Sequence, residues 1–115
     1  GFGAIAFEDV AQGEAVYSRA SDGKVGKATN NGTLDQAVCV GIVQATKTAG
    51  QEVRVLVTGI SASSGLNAGD FVYLGVNGAI TDTPPTGPNK YLTRIGEATK
   101  NSQLSINLSS PILLT

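Results

Sequence analysis

The chain has no histidine, no tryptophan and no methionine, and aromatic residues make up only 5% of its 115 positions. Histidine is the commonest general base and metal ligand in proteins, so its absence excludes Ser-His-Asp and Cys-His catalytic arrangements. The nine acidic residues lie mostly in or beside predicted turns, where carboxylates serve solvation and local hydrogen bonding. We therefore expect a non-enzymatic protein with no catalytic residue, bound metal or cofactor. The alternative of a carbohydrate-acting enzyme would require two carboxylates to converge in one pocket.

Cysteine, net charge and long apolar runs are also scarce. The single cysteine, Cys39, lies in the apolar run 37–43, which predicts a buried side chain and excludes a disulfide within the chain. The formal net charge is −1 with 15% charged residues, so no basic stripe for nucleic acid is expected. No run approaches the roughly 18 apolar residues of a transmembrane helix, so no membrane partner is expected. The chain begins at Gly1 without a signal-peptide pattern, which predicts a processed or trimmed N-terminus.

Short strand signals separated by glycine predict an all-β domain. Residues 51–59 alternate in polarity and place Val53, Val55 and Val57 on one face, which is typical of a half-buried strand. The nearly continuous apolar run 37–45 predicts a strand buried on both faces. Turns are expected at Asp22-Gly23, at residues 30–33 and at Asn77-Gly78, where Asn and Gly tolerate positive φ. The proline-rich residues 83–89 predict an extended surface loop, and no segment has helical periodicity over more than about two turns.

Two parts of the chain match each other at a spacing of about 55 residues, which indicates an internal duplication. The matching blocks are residues 11–17 and 67–73, the turns Asp22-Gly23 and Asn77-Gly78, the pairs Val40-Gly41 and Ile95-Gly96, and residues 44–47 and 97–100. We predict a single all-β domain over residues 1–115, a small β-barrel or β-sandwich built from this duplicated unit. Repeat 1 spans about residues 8–60, repeat 2 spans about residues 65–115, and residues 61–65 form the connector between them.

Acidic residues at matching positions favour an architectural role. Gly13-Glu14 and Gly69-Asp70 are equivalent in the two repeats, and a catalytic group is seldom needed in both copies. We expect each glycine to turn the chain into a strand and each carboxylate to accept hydrogen bonds from nearby backbone amides. The adjacent pair Glu8-Asp9 is an alternative candidate for binding a divalent cation at an oligomer contact.

Both ends of the chain are apolar, and they are the candidate contact sites. The residues expected to contact a neighbouring subunit or another protein partner are Phe2, Ile5, Phe7, Ile112, Leu113 and Leu114. A terminal arm that adds a strand to a partner removes an open sheet edge. The alternative is that both ends complete the core of this domain.

Residues 65–75, 78–87, 94–98 and 110–114 carry a string of Gly, Thr and Pro turn signals. Over about the second half of the chain, this string resembles the head-decoration, or capsid cement, proteins of tailed bacteriophages, and also terminal modules of head and tail fibres. The resemblance implies a β-rich structural protein, a homotrimer on the virion, that binds the major capsid protein. Its location would be the capsid surface, after assembly in the bacterial host cytoplasm. The alternative is a fibre or knob module whose loops, such as 21–24 and 83–89, bind a host surface receptor or glycan.

Overall fold

Short strands make up most of the regular structure in the computed structural model, which describes residues 1–62, 65–100 and 103–115. The strands are β1 (Phe2–Ile5), β2 (Ala15–Ser18), β3 (Val25–Lys27), β4 (Gly41–Val43), β5 (Glu52–Leu56), β6 (Gly59–Ala62), β7 (Phe71–Leu74), β8 (Ile80–Thr81), β9 (Tyr91–Leu92), β10 (Arg94–Lys100), β11 (Gln103–Ile106) and β12 (Ile112–Leu113). One short helix, α1 (Leu34–Ala37), lies between β3 and β4. The all-β prediction is confirmed.

The first sheet contains the five strands of the N-terminal half in the order β1-β5-β4-β2-β3, with antiparallel neighbours. Just beyond β1, Ala6 forms a parallel bridge to Val25 in β3, so the two edges of this sheet meet at that point. The side chains enclosed by the curved sheet are Ala6, Val10, Val16, Val25, Val43, Val53 and Val55. A core of alanine and valine suits such tight curvature, because these side chains are small and have few rotamers to lose.

The second sheet has the order β6-β11-β10-β7-β8, which is the order of the first sheet with each strand replaced by a later counterpart. Local hydrogen bonds match as well. The Gly13 amide donates to Val43 O at 2.8 Å, and the Gly69 amide donates to Ala98 O at 2.7 Å. Both glycines have positive φ, +90° and +91°. These correspondences support the predicted duplication, which remains a prediction.

The two sheets share a core to which both halves of the chain contribute. Its members are Ala15, Tyr17, Ala28, Cys39 and Ile42 from the first half and Leu66, Val72, Leu74, Ile95, Ala98, Leu104 and Ile106 from the second. The turn between β7 and β8 also enters the first half, because Gly78 O accepts from the Ala15 amide at 2.9 Å and the Gly78 amide donates to Ala28 O at 2.6 Å. Strands β2 and β4 are therefore buried on both faces.

The structure differs from the sequence prediction in residues 30–45. The predicted turn at 30–33 instead leads into α1, which begins at the N-cap Thr33. Thr33 Oγ1 accepts from the Gln36 amide and Gln36 Oε1 accepts from the Thr33 amide, a capping box. The strand predicted over 37–45 is thus reduced to β4, within which Ile42 faces the shared core and Val43 the curved first sheet.

The connector predicted at residues 61–65 is also different. Ser61 and Ala62 belong to β6, an edge strand of the second sheet, and the Ser61 residue is buried. Residues 63 and 64 lie outside the described residues. The sheet boundary therefore falls between β5 and β6, so residues 59 and 60 join the second half and not repeat 1.

The molecule is flattened, with principal extents of 34 × 32 × 18 Å. No helix in the described part of the chain is long and apolar enough to cross a membrane.

Candidate functional site

The N-terminal apolar segment forms an edge strand. Strand β1 pairs with β5 alone, which places Phe2 opposite Val55 and Ile5 opposite Glu52. Phe2 and Ile5 are 36% and 37% exposed. Ala4, which lies between them, packs against the core of the first sheet. The predicted contact residues Phe2 and Ile5 therefore lie at the surface beside an open strand edge.

Phe7 occupies a different environment from Phe2 and Ile5. It packs against the shared core, with its ring 5.8 Å from that of Tyr17 in an edge-to-face arrangement. The Arg19 guanidinium lies 4.0 Å from the centre of the Phe7 ring. Arg19 is held there by a two-point contact with Asp22, and this hydrogen bonding lowers the pKa of the Asp22 carboxyl to about 2. Phe7 thus contributes to the packing of this domain's own core.

The C-terminal apolar segment forms a two-stranded ribbon. Strand β12 pairs with β9, which places Ile112 opposite Leu92 and Leu113 opposite Tyr91. Ile112 is 59% exposed and Leu113 is 54% exposed. Consecutive strand residues point to opposite faces, so both faces of β12 are open to solvent. Leu114 is half-buried, and its amide donates to Lys90 O at 2.8 Å.

The six predicted contact residues therefore do not form one site. Phe2 and Ile5 belong to the first sheet, Phe7 to the shared core, and Ile112 to Leu114 to the separate ribbon. The predicted contact residues other than Phe7 thus lie on two exposed apolar segments, the β1 edge and the β9–β12 ribbon.

A cleft opens on the first half of the chain, beside the turn between β7 and β8. It has a volume of about 390 Å³ and is lined by Phe7, Glu8, Tyr17, Lys27, Thr29, Gln36 and Asn77. Asn77 and Gly78 form the predicted turn between β7 and β8, with positive φ at both residues. No local sequence pattern predicts this cleft, because its lining comes from five separated segments. The Thr33-x-x-Gln36 spacing is the one sequence signal at its edge.

The acidic side chains singled out from the sequence accept hydrogen bonds from backbone amides. The Glu8 and Asp9 carboxylates diverge, because Glu8 Oε2 accepts from the Lys27 amide and Asp9 Oδ1 from the Ala49 amide, both at 2.9 Å. Glu14 Oε1 accepts from the Ala11 amide at 2.6 Å, the turn contact predicted for it. Among the described residues no group of three His, Cys, Asp or Glu side chains could hold a metal ion.

Cys39 is buried in the shared core, as predicted. Desolvation raises the pKa of its thiol to about 11, which keeps it protonated at neutral pH. It therefore behaves as a small apolar side chain.

No protein-family model matches the chain, and no curated protein matches it.

Proposed function

We propose that this chain is a non-enzymatic structural protein of a bacteriophage virion, which decorates the capsid exterior and stabilises the shell. Its partners would be the major capsid protein and further copies of itself, in a homotrimer. The resemblance in the second half of the chain suggests the class, and the exposed apolar segments supply the means of attachment.

The observation that carries this proposal is the β9–β12 ribbon. An isolated two-stranded ribbon is marginally stable in water, and a strand with both faces exposed gains little from its own domain. Ile112 and Leu113 nevertheless expose more than half of their surface in this ribbon. A protein partner that covers these side chains would remove apolar area from water and pair the open edge of β12.

The β1 edge supports the same role. Phe2 and Ile5 flank an unpaired strand edge on the first sheet, where an extended segment of a neighbour can add a strand. A decoration protein acts by mass action, because it binds the assembled shell more tightly than the free subunits and so shifts the equilibrium towards the shell.

The cleft gives little support to the alternative of a carbohydrate-acting enzyme. Glu8 is the only carboxylate among the residues that line it, whereas hydrolysis of a glycosidic bond by the usual route needs two. The loops 21–24 and 83–89 are largely exposed, so a receptor-binding fibre module remains the alternative that experiment must separate from decoration.

Copy number on the particle separates these functions. Quantitative mass spectrometry of purified virions, calibrated against the major capsid protein, would give the number of chains per particle. We expect a ratio near one to one or a simple fraction repeated over the shell. A handful of copies per particle would favour a fibre or vertex knob instead, and absence from the particle would refute both virion roles.

A matched pair of variants tests the ribbon. Ile112→Ser and Ile60→Ser each replace an isoleucine of similar exposure, 59% and 54%, in an exposed strand. We expect Ile112→Ser to lower the number of chains retained per particle while its melting temperature stays near that of the parent. Ile60→Ser, on the edge of the second sheet, should be retained normally. Normal retention of Ile112→Ser would show that the ribbon is not the attachment site.

A further inference from the structure

We propose that the cleft lined by Tyr17, Lys27 and Asn77 is a binding site for a neutral carbohydrate. The inference is independent of the capsid role. The cleft of about 390 Å³ falls within the range of small-molecule sites, about 300–1,000 Å³.

The aromatic residues that line the cleft, Phe7 and Tyr17, are held in place by packing within the domain. Phe7 and Tyr17 meet edge to face, and Tyr17 is only 7% exposed although it lines the cleft. A Cβ at Gly26 would collide with the Phe7 ring and would lie 2.6 Å from Glu8 Oε2. Glycine at this position in β3 is therefore what allows Phe7 and Glu8 to lie against the strand.

The polar side of the cleft presents both donors and acceptors. The Tyr17 hydroxyl, the Lys27 ammonium group and the Asn77 side-chain amide have no hydrogen-bond partner among the described residues. Glu8 uses Oε2 to accept from the Lys27 amide, which leaves Oε1 as an acceptor. Gln36 uses Oε1 in the capping box, which leaves its NH₂ group as a donor.

These groups match a sugar better than they match an anion or a nucleobase. Each sugar hydroxyl can donate and accept, so it can use a mixed set of partners, and the C–H groups of the ring can pack on aromatic carbon. The lining carries one cation, Lys27, and one carboxylate, Glu8. A phosphate would therefore be attracted by Lys27 and repelled by Glu8. Arg19 covers one face of the Phe7 ring. A flat nucleobase therefore cannot stack on that face.

The position of the free groups is held by the backbone. Asn77 has φ of +53° in the β7–β8 turn, and the adjacent Gly78 is hydrogen-bonded to Ala15 and Ala28 of the first half. Gln36 is fixed by α1, whose N-cap it completes. The backbone at Asn77 and the Gln36 side chain are therefore positioned before a ligand arrives, which reduces the entropy lost on binding.

The test is a titration of the whole chain followed by amide chemical shifts in NMR spectra. The probes are methyl α-D-glucopyranoside, methyl β-D-galactopyranoside and methyl N-acetyl-β-D-glucosaminide, with inorganic phosphate as the anionic comparison. We expect at least one glycoside to cause saturable shifts at Lys27, Gln36 and Asn77, with a Kd of about 1 mM for so small a ligand. Absence of saturable shifts with all three glycosides, or shifts with phosphate alone, would overturn the proposal.

Two variants and a matched control localise the binding. Tyr17→Phe removes only the hydroxyl and should weaken binding by about 3–10-fold. Tyr73→Phe makes the same change at the equivalent position of the second half, which does not line the cleft, and should leave the Kd unchanged. Asn77→Gly keeps a residue that tolerates positive φ and should also weaken binding. Unchanged binding by both Tyr17→Phe and Asn77→Gly would show that the glycoside binds elsewhere and would overturn the assignment.

Discussion

Val55 illustrates how little space the first sheet leaves inside its curve. Its side chain is 1% exposed and packs among alanine and valine side chains from the strands around it. A Cβ on Gly41, in the neighbouring strand, would collide with a methyl group of Val55. The pocket around Val55 therefore has no polar partner and no spare volume for a larger group.

Val55→Asp should unfold the protein. An unpaired carboxylate in this apolar cluster would cost at least about 4 kcal/mol, a large fraction of the stability of a small domain, about 5–15 kcal/mol. Thr58→Asp, which adds the same charge at an exposed position after β5, should change stability by less than about 0.5 kcal/mol. Circular dichroism during thermal unfolding measures both. A Val55→Asp variant that melts like the parent would mean that this face of β5 is not buried.

At the level of strands, two glycines allow neighbouring strands to approach each other closely. A Cβ on Gly41 would lie 2.6 Å from Leu56 O in β5, and a Cβ on Gly96 would collide with Ser105 O in β11. These two glycines occupy matching positions in the predicted duplication. In the pairs Val40-Gly41 and Ile95-Gly96, the glycine is therefore needed for the close packing of neighbouring strands in both sheets.

Gly96→Ala should destabilise the second sheet by about 3 kcal/mol, because a backbone carbonyl cannot move aside as a flexible side chain can. Gly69→Ala provides the comparison. Gly69 has no atom within 4 Å of an added Cβ but has φ of +91°, so its substitution should cost about 1–2 kcal/mol from backbone strain alone. Chemical denaturation of both variants measures the difference. Equal losses would mean that the close contact at Gly96 relaxes without cost.

Elements with strong local signals are those that the sequence predicts well. Strand β7 and the Asn77-Gly78 turn lie where the apolar pattern and the turn residues place them. For residues 51–59 the strand is present but ends at Leu56, so Val57 lies outside it and is only half-buried. Helix α1 was missed because four residues give no helical periodicity, although Thr33 and Gln36 carry the capping signal. The cleft depends on contacts between distant segments, which no local pattern encodes.

At the level of the whole molecule, the two halves depend on each other. Ala15, Ile42 and Cys39 from the first half share one core with residues of the second. Polar contacts cross the same boundary, since Asn30 Nδ2 donates to Leu74 O at 3.0 Å and Thr93 Oγ1 donates to Ala37 O at 2.8 Å. Separation of the halves would expose this core and leave these polar groups without partners.

Fragments 1–58 and 59–115, produced separately, should each be largely unfolded. A domain of about 60 residues buries only about 60% of the surface that its unfolded chain exposes, so its stability is marginal. Each fragment would also lose one side of the shared core. Amide NMR spectra of each fragment, and of the two mixed at equal concentration, test this expectation. Well-dispersed spectra from either fragment alone would show that the halves are independent domains.

The flattened shape also sets how much of another surface one molecule can shield. An ellipse with axes of 34 and 32 Å encloses about 850 Å², close to the roughly 800 Å² that each partner buries in a standard protein interface. One broad side of the plate therefore suffices as a footprint for stable attachment. The opposite side, 18 Å away, stays available to the surroundings, so a layer of such molecules would leave one broad face of each copy exposed.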